Sequence, residues 1–61
     1  MQLSICYDPN GYETRPCGSL VEARRVVMAF LTAGYRGLSV ELIDDGDVVA
    51  YYESGRGWTT D

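Results

Sequence analysis

The sequence contains no histidine and no lysine, and it holds only two cysteines, Cys6 and Cys17. Without histidine the side chain most often used as a general base near neutral pH is missing, and so is the commonest metal ligand. Two thiols alone make a poor metal site. A reducing compartment also disfavours joining them, so free cysteines are expected ahead of a disulfide or a bound metal. No Gly-x-Ser-x-Gly elbow, P-loop or metal-ligand spacing occurs. Neither cysteine has a neighbour in sequence that would activate it as a nucleophile. These absences point away from an enzyme and away from a cofactor.

Long apolar runs are also lacking. Residues Met1 to Asp8 have neither a basic segment nor an extended apolar stretch, so no signal peptide, transit peptide or membrane span is expected, and the protein is predicted to be cytoplasmic. A basic face is missing as well. Nine acidic residues stand against five arginines, a formal charge of −4, which argues against direct nucleic-acid binding and favours a basic partner. Sixty-one residues make one domain. A chain of this size buries only ~60% of its unfolded surface, so a partner or a second copy would help to stabilise it.

What is present is organised around Ser19 to Gly34. Ser19 is a preferred N-cap with Glu22 three residues on, the pattern of a capping box. The serine oxygen is expected to accept from the Glu22 N–H while the glutamate reaches back to the N–H of Ser19. Gly34 suits the position after the helix end. Leu20, Ala23, Val27, Phe30 and Leu31, with Val26 beside them, follow the helical period. Glu22, Arg24, Arg25 and Thr32 fall on the other side and Met28 near the border. Such a helix is expected to cover a sheet.

Strand patterns flank it. Residues 2–7 alternate, with Leu3, Ile5 and Tyr7 on one face. Asp8-Pro9-Asn10-Gly11 reads as a turn. Tyr12 to Arg15 then forms a short return arm in which Glu13 and Arg15 share the face of Ile5 and Tyr7, and Pro16 ends it. After a Tyr35-Arg36-Gly37 connection, the runs 38–43 and 48–52 surround Asp45-Gly46, a strong hairpin signal. A two-residue turn sets Asp44 opposite Asp47, Ile43 opposite Val48, Leu42 opposite Val49, Glu41 opposite Ala50, Val40 opposite Tyr51 and Ser39 opposite Tyr52. Leu38, Val40 and Leu42 then lie under the helix with Val49 and Tyr51. Ser39, Glu41, Ile43, Val48, Ala50 and Tyr52 form an uncovered face. Ser54 to Gly57 turns the chain again, and Trp58 to Thr60 adds a last short strand. The fold class is α+β: a two-layer domain over residues 1–61, in which an antiparallel sheet of three to five strands carries one helix on one face.

Candidate binding residues follow from this map. Asp44, Asp45 and Asp47 cluster at a hairpin tip. They read either as a solvated turn or as an acidic knob for an arginine- or lysine-lined groove; calcium-loop spacing is absent. Glu41, Glu53 and Tyr52 are the next candidates, with Glu41 and Tyr52 on the uncovered face and Glu53 opposite Leu38 on the helix side. Trp58 reads either as a core plug at the sheet edge or as an exposed anchor, tryptophan being among the residues enriched at binding hot spots.

The stretch Ser19-Leu20-x-x-Ala23-Arg24-Arg25-Val26, followed by Ala50-Tyr51-x-Glu53-x-Gly55-x-x-Trp58, resembles the small anti-CRISPR proteins that phages and mobile elements use against type I-F surveillance complexes, in particular the ninth numbered family of that series. The likeness covers the last two thirds of the chain. It implies an antiparallel sheet flanked by a helix. It also implies a non-enzymatic inhibitor in the cytoplasm of a bacterial host, bound to a Cas subunit so that target DNA cannot reach the guide RNA. That family is lysine-rich and basic, whereas this chain is acidic. Its charge suggests instead a scaffold that imitates DNA phosphates through Asp44, Asp45, Asp47, Glu41 and Glu53. The other expectations are a small homodimeric module that pairs through the uncovered face, and an inhibitor of another basic DNA-handling defence protein.

Overall fold

In the computed structural model, which describes residues 1–60, the chain begins with β1 (Gln2–Tyr7) and β2 (Gly11–Pro16), joined across a turn with a cis Asp8–Pro9 peptide. The return arm is a full strand: its pairing runs from Tyr7 opposite Gly11 to Gln2 opposite Pro16. The helix α1 (Leu20–Thr32) follows, then β3 (Ser39–Asp44), β4 (Asp47–Glu53) and β5 (Gly57–Thr60). All neighbouring strands are antiparallel, and their order across the sheet is β2-β1-β3-β4-β5. β2 and β3 therefore run parallel to each other on either side of β1, and α1 is the crossover between them. This is the two-layer α+β arrangement expected from the sequence.

The helix ends are chemically closed. Ser19, extended at φ −165°, accepts from the Glu22 N–H at 3.2 Å. Glu22 reaches back one residue further than a regular capping box, accepting from the Gly18 N–H at 3.0 Å and not from Ser19. At the other end Gly34, at φ +91°, donates to the Leu31 carbonyl, and Tyr35 donates to Phe30. This is a Schellman motif, in which the left-handed residue lets the chain fold back onto the last free carbonyls. The Phe30 and Tyr35 rings meet edge-on at 4.8 Å, the apolar contact that accompanies such an ending.

The core lies between α1 and one sheet face. Leu3 and Ile5 of β1, Val40 and Leu42 of β3 and Ala50 of β4 meet Ala23, Val27 and Phe30 of the helix, with Leu38 and Cys17 closing the ends. Leu31 is 38% exposed, so it borders the stripe and is not part of its centre. Glu13 and Arg15 share this face with Leu3 and Ile5, as the pairing Leu3–Arg15 and Ile5–Glu13 requires. Where helix cover runs out, they bond each other: Arg15 Nε donates to Glu13 Oε2 at 2.6 Å, and the guanidinium lies 5.1 Å over the Phe30 ring.

The β3–β4 register differs from the one expected. The Asp45-Gly46 turn has positive φ at both residues (53° and 83°), the geometry of a type I′ hairpin, and Asp44–Asp47 and Ile43–Val48 pair as the sequence suggests. Then the register shifts between Leu42 and Ile43. Val49 is the additional residue of a bulge, so Leu42 opposes Ala50, Glu41 opposes Tyr51, Val40 opposes Tyr52 and Ser39 opposes Glu53. One inserted residue moves everything beyond it to the opposite face. Ala50 and Tyr52 consequently lie on the helix side, and Tyr51 and Glu53 lie on the open side. Tyr52 packs against Trp58 at 5.5 Å, and both border the core, so Trp58 caps that core and is not a free anchor.

Candidate functional surface

Among the described residues, the face of the sheet opposite α1 carries no layer of its own. The pairings align its side chains in rows. One row runs Thr14, Ser4, Glu41, Tyr51, Thr59; the next runs Tyr12, Cys6, Ser39, Glu53. Ile43 and Val48 lie beside them at the end nearest the β3–β4 turn. Tyr12 is 63% exposed and Val48 41%. Hydroxyls, two carboxylates, two tyrosines and a small aliphatic patch thus share one broad surface.

Its electrostatics are one-sided. Glu41 and Glu53 belong to this face, and no arginine is among its strand residues. Arg15 lies on the helix side of β2, Arg24 and Arg25 on the exposed part of α1, Arg36 in the connection after the helix, and Arg56 in the β4–β5 turn. Glu53 is partly neutralised: Tyr51 donates to its Oε2 at 3.1 Å, and Arg56 Nε approaches its Oε1 at 3.4 Å. The tip differs. Asp44, Asp45 and Asp47 are exposed, and among the described residues none forms an ion pair. Asp44 and Asp47 stand directly opposite each other, an arrangement that costs stability where like charges meet across a ladder.

The six residues singled out from the sequence are therefore only partly gathered. Glu41 lies on the open face as expected, and the bulge brings Glu53 there from the helix side, where the expected register set it opposite Leu38. Strand alternation turns Asp44 and Asp47 toward the helix side of the sheet, although they project from its end. Tyr52 leaves the group entirely because of the Val49 bulge. Tyr51 takes its place on the open face, a residue the sequence pattern assigned to the core. The run Val48 to Tyr52 is apolar throughout, so a period of two has no phase in it to read. The one sign of the true register is the small Ala50, which suits a position directly under a helix.

Other surfaces are chemically quieter. A shallow cleft between β2 and the helix end is lined by Glu13, Arg15, Phe30 and Tyr35, with its ion pair already closed internally. Cys17 is buried and donates to the Ser19 carbonyl at 3.2 Å, whereas Cys6 is exposed on the open face; both are free. Among the described residues no three potential metal ligands converge, and no helix is long and apolar enough to cross a membrane.

The architecture defines a small two-layer α+β domain with one bare sheet face. Compared with protein-family models, curated proteins and solved structures, the chain gives no match.

Proposed function

We propose that the protein is a non-enzymatic inhibitor of the anti-CRISPR kind, which binds a Cas subunit of a type I CRISPR surveillance complex and blocks target DNA. The observation that carries the binding mode is the unpaired acidic tip. Three carboxylates crowd a tight turn, two of them opposed, with no arginine of the chain brought to neutralise them. A basic groove that normally holds DNA phosphates would supply the missing counter-charge, and desolvated acid–arginine pairs are strong and directional. Glu41 on the open face extends the acidic surface toward Tyr51, which supplies aromatic contact. The choice of a Cas subunit rests on the sequence resemblance. Within the fold the resembling residues of β4 and β5 also serve the hairpin: Ala50 is buried, Gly55 turns the chain at φ +89°, and Trp58 packs on Tyr52.

The test is capture of type I complexes from bacterial lysate by the tagged protein, with and without nuclease. A nuclease-resistant Cas subunit in the eluate is the expected outcome. The triple variant Asp44→Asn, Asp45→Asn, Asp47→Asn, which keeps a turn-compatible residue at each position, is expected to weaken that binding at least tenfold and to flatten its salt dependence. Unchanged affinity and salt slope would reject mimicry by the tip. Capture of another DNA-handling protein in place of a Cas subunit would redirect the target and leave the acidic mode standing.

A further inference from the structure

The two edges of the sheet are guarded very differently. β2 presents an edge with Pro16 at its end and with two charged residues, Glu13 and Arg15, on the face turned toward the core. Inward-pointing charge and proline are the devices by which edge strands refuse a further strand. β5, at the opposite edge, is Gly57-Trp58-Thr59-Thr60. It has no charge, no proline and β-favouring residues at three of its four positions. Among the described residues its outward backbone N–H and C=O groups have no strand to meet, and Trp58 is only half-buried beside them.

We infer that β5 is a self-pairing edge, at which a second copy of this chain docks antiparallel to make one sheet continuous through both copies. Backbone chemistry dictates that the occupant is an extended strand. Charge decides which surface can meet a copy of itself. Two open faces would oppose Glu41 and Glu53 to the same residues, and two tips would oppose six aspartates, whereas the strand residues Gly57 to Thr60 bring no charge to their copy. Face matching then fixes the register. Residues directly opposite must point to the same side, so with both helices on one side the two-fold axis passes through Thr59 or through Trp58. The Thr59 axis sets Thr59 against Thr59 on the open side and Trp58 against Thr60 of the second copy on the helix side. Thr–Thr and aromatic–β-branched pairs are favourable cross-strand neighbours. The contact is short and belongs among the small, concentration-dependent interfaces. It does not use the acidic tip and stands apart from the inhibitor reading.

Sedimentation equilibrium over a concentration series tests it. The mass is expected to climb from 6.8 kDa toward twice that value. Thr59→Lys is expected to hold it at the monomer with an unchanged circular dichroism spectrum, while Thr14→Lys on the β2 edge leaves the climb intact. A mass that stays monomeric into the millimolar range overturns the inference. So does a dimer that survives Thr59→Lys, because another surface would then be pairing. Should Thr59→Lys unfold the chain, cross-linking decides. In a Cys6→Ser background, Thr59→Cys is expected to oxidise to a linked dimer and Thr14→Cys to remain monomeric; equal linkage of the two would overturn the edge assignment.

Discussion

The two faces of this sheet are built from alternate residues of the same five strands, yet they follow different rules. On the helix side, Leu3, Ile5, Val40, Leu42 and Ala50 are 3% exposed or less, and a wrong volume there leaves a hole or a clash. On the open side, Ser4, Glu41, Tyr51 and Thr59 are held in place only by their backbone ladder and by contacts such as Tyr51 to Glu53. The first face fixes the fold. The second is free to carry recognition, because changing its side chains leaves the core packing untouched.

That contrast can be broken most directly in the core. Ile5→Ala is expected to cost about 2–5 kcal/mol, enough to unfold much of a chain this small, whereas Ser4→Ala, the adjacent residue on the other face, is expected to stay within about 0.5 kcal/mol. Urea titration of the two variants measures the difference, and equal losses would mean that the open face is covered after all. A smaller effect is expected at Gly11. It stands opposite Tyr7, and a β-carbon built there would overlap the Tyr7 ring. Gly11→Ala should displace that ring from Phe30 and Tyr35 and cost about 1–3 kcal/mol; thermal melting with near-ultraviolet circular dichroism would report both changes. The smallest effect is expected at the tip. Asp47→Asn relieves the cross-strand repulsion with Asp44 and should stabilise the chain by about 0.2–1 kcal/mol at low ionic strength, a gain that shrinks as salt screens the pair. A loss of stability would show that Asp47 makes a structural contact and is not held for a partner.

Much of the fold was legible because its signals are local. Ser19 and Glu22, Gly34, and Asp45-Gly46 each mark an end or a turn through backbone chemistry that any sequence must obey. Even the awkward placement of Glu13 and Arg15 on the core-side face could be read from the turn, and the structure resolves it by pairing them at the edge. The register of β4 was not legible. Five consecutive apolar residues, Val48 to Tyr52, fit either phase equally well, and the bulge at Val49 is selected by three-dimensional packing: Ala50 under the helix, and Tyr52 beside Trp58. The candidate surface inherits that ambiguity, since exchanging Tyr51 and Tyr52 changes which aromatic group faces a partner. The tip and Glu41 escaped it because they lie ahead of the bulge or on the strand that it does not shift.

The placement of β1 has a consequence for how the chain comes to be folded. β1 is the second strand to be counted across the sheet but the first to be made. Its β2 neighbour follows within a few residues, whereas its other neighbour, β3, comes only after the whole of α1. In chain order β1 and β2 are made before any strand that can cover the inner edge of β1, and α1 is made when only these two strands of the sheet are available to take its apolar stripe. The meander β3-β4-β5, by contrast, is joined by short turns and can zip up as it appears. The β1–β3 pairing is the long-range contact that joins the early half of the chain to the late half, and it makes an interior strand of one whose two partners are separated in sequence by the whole of α1.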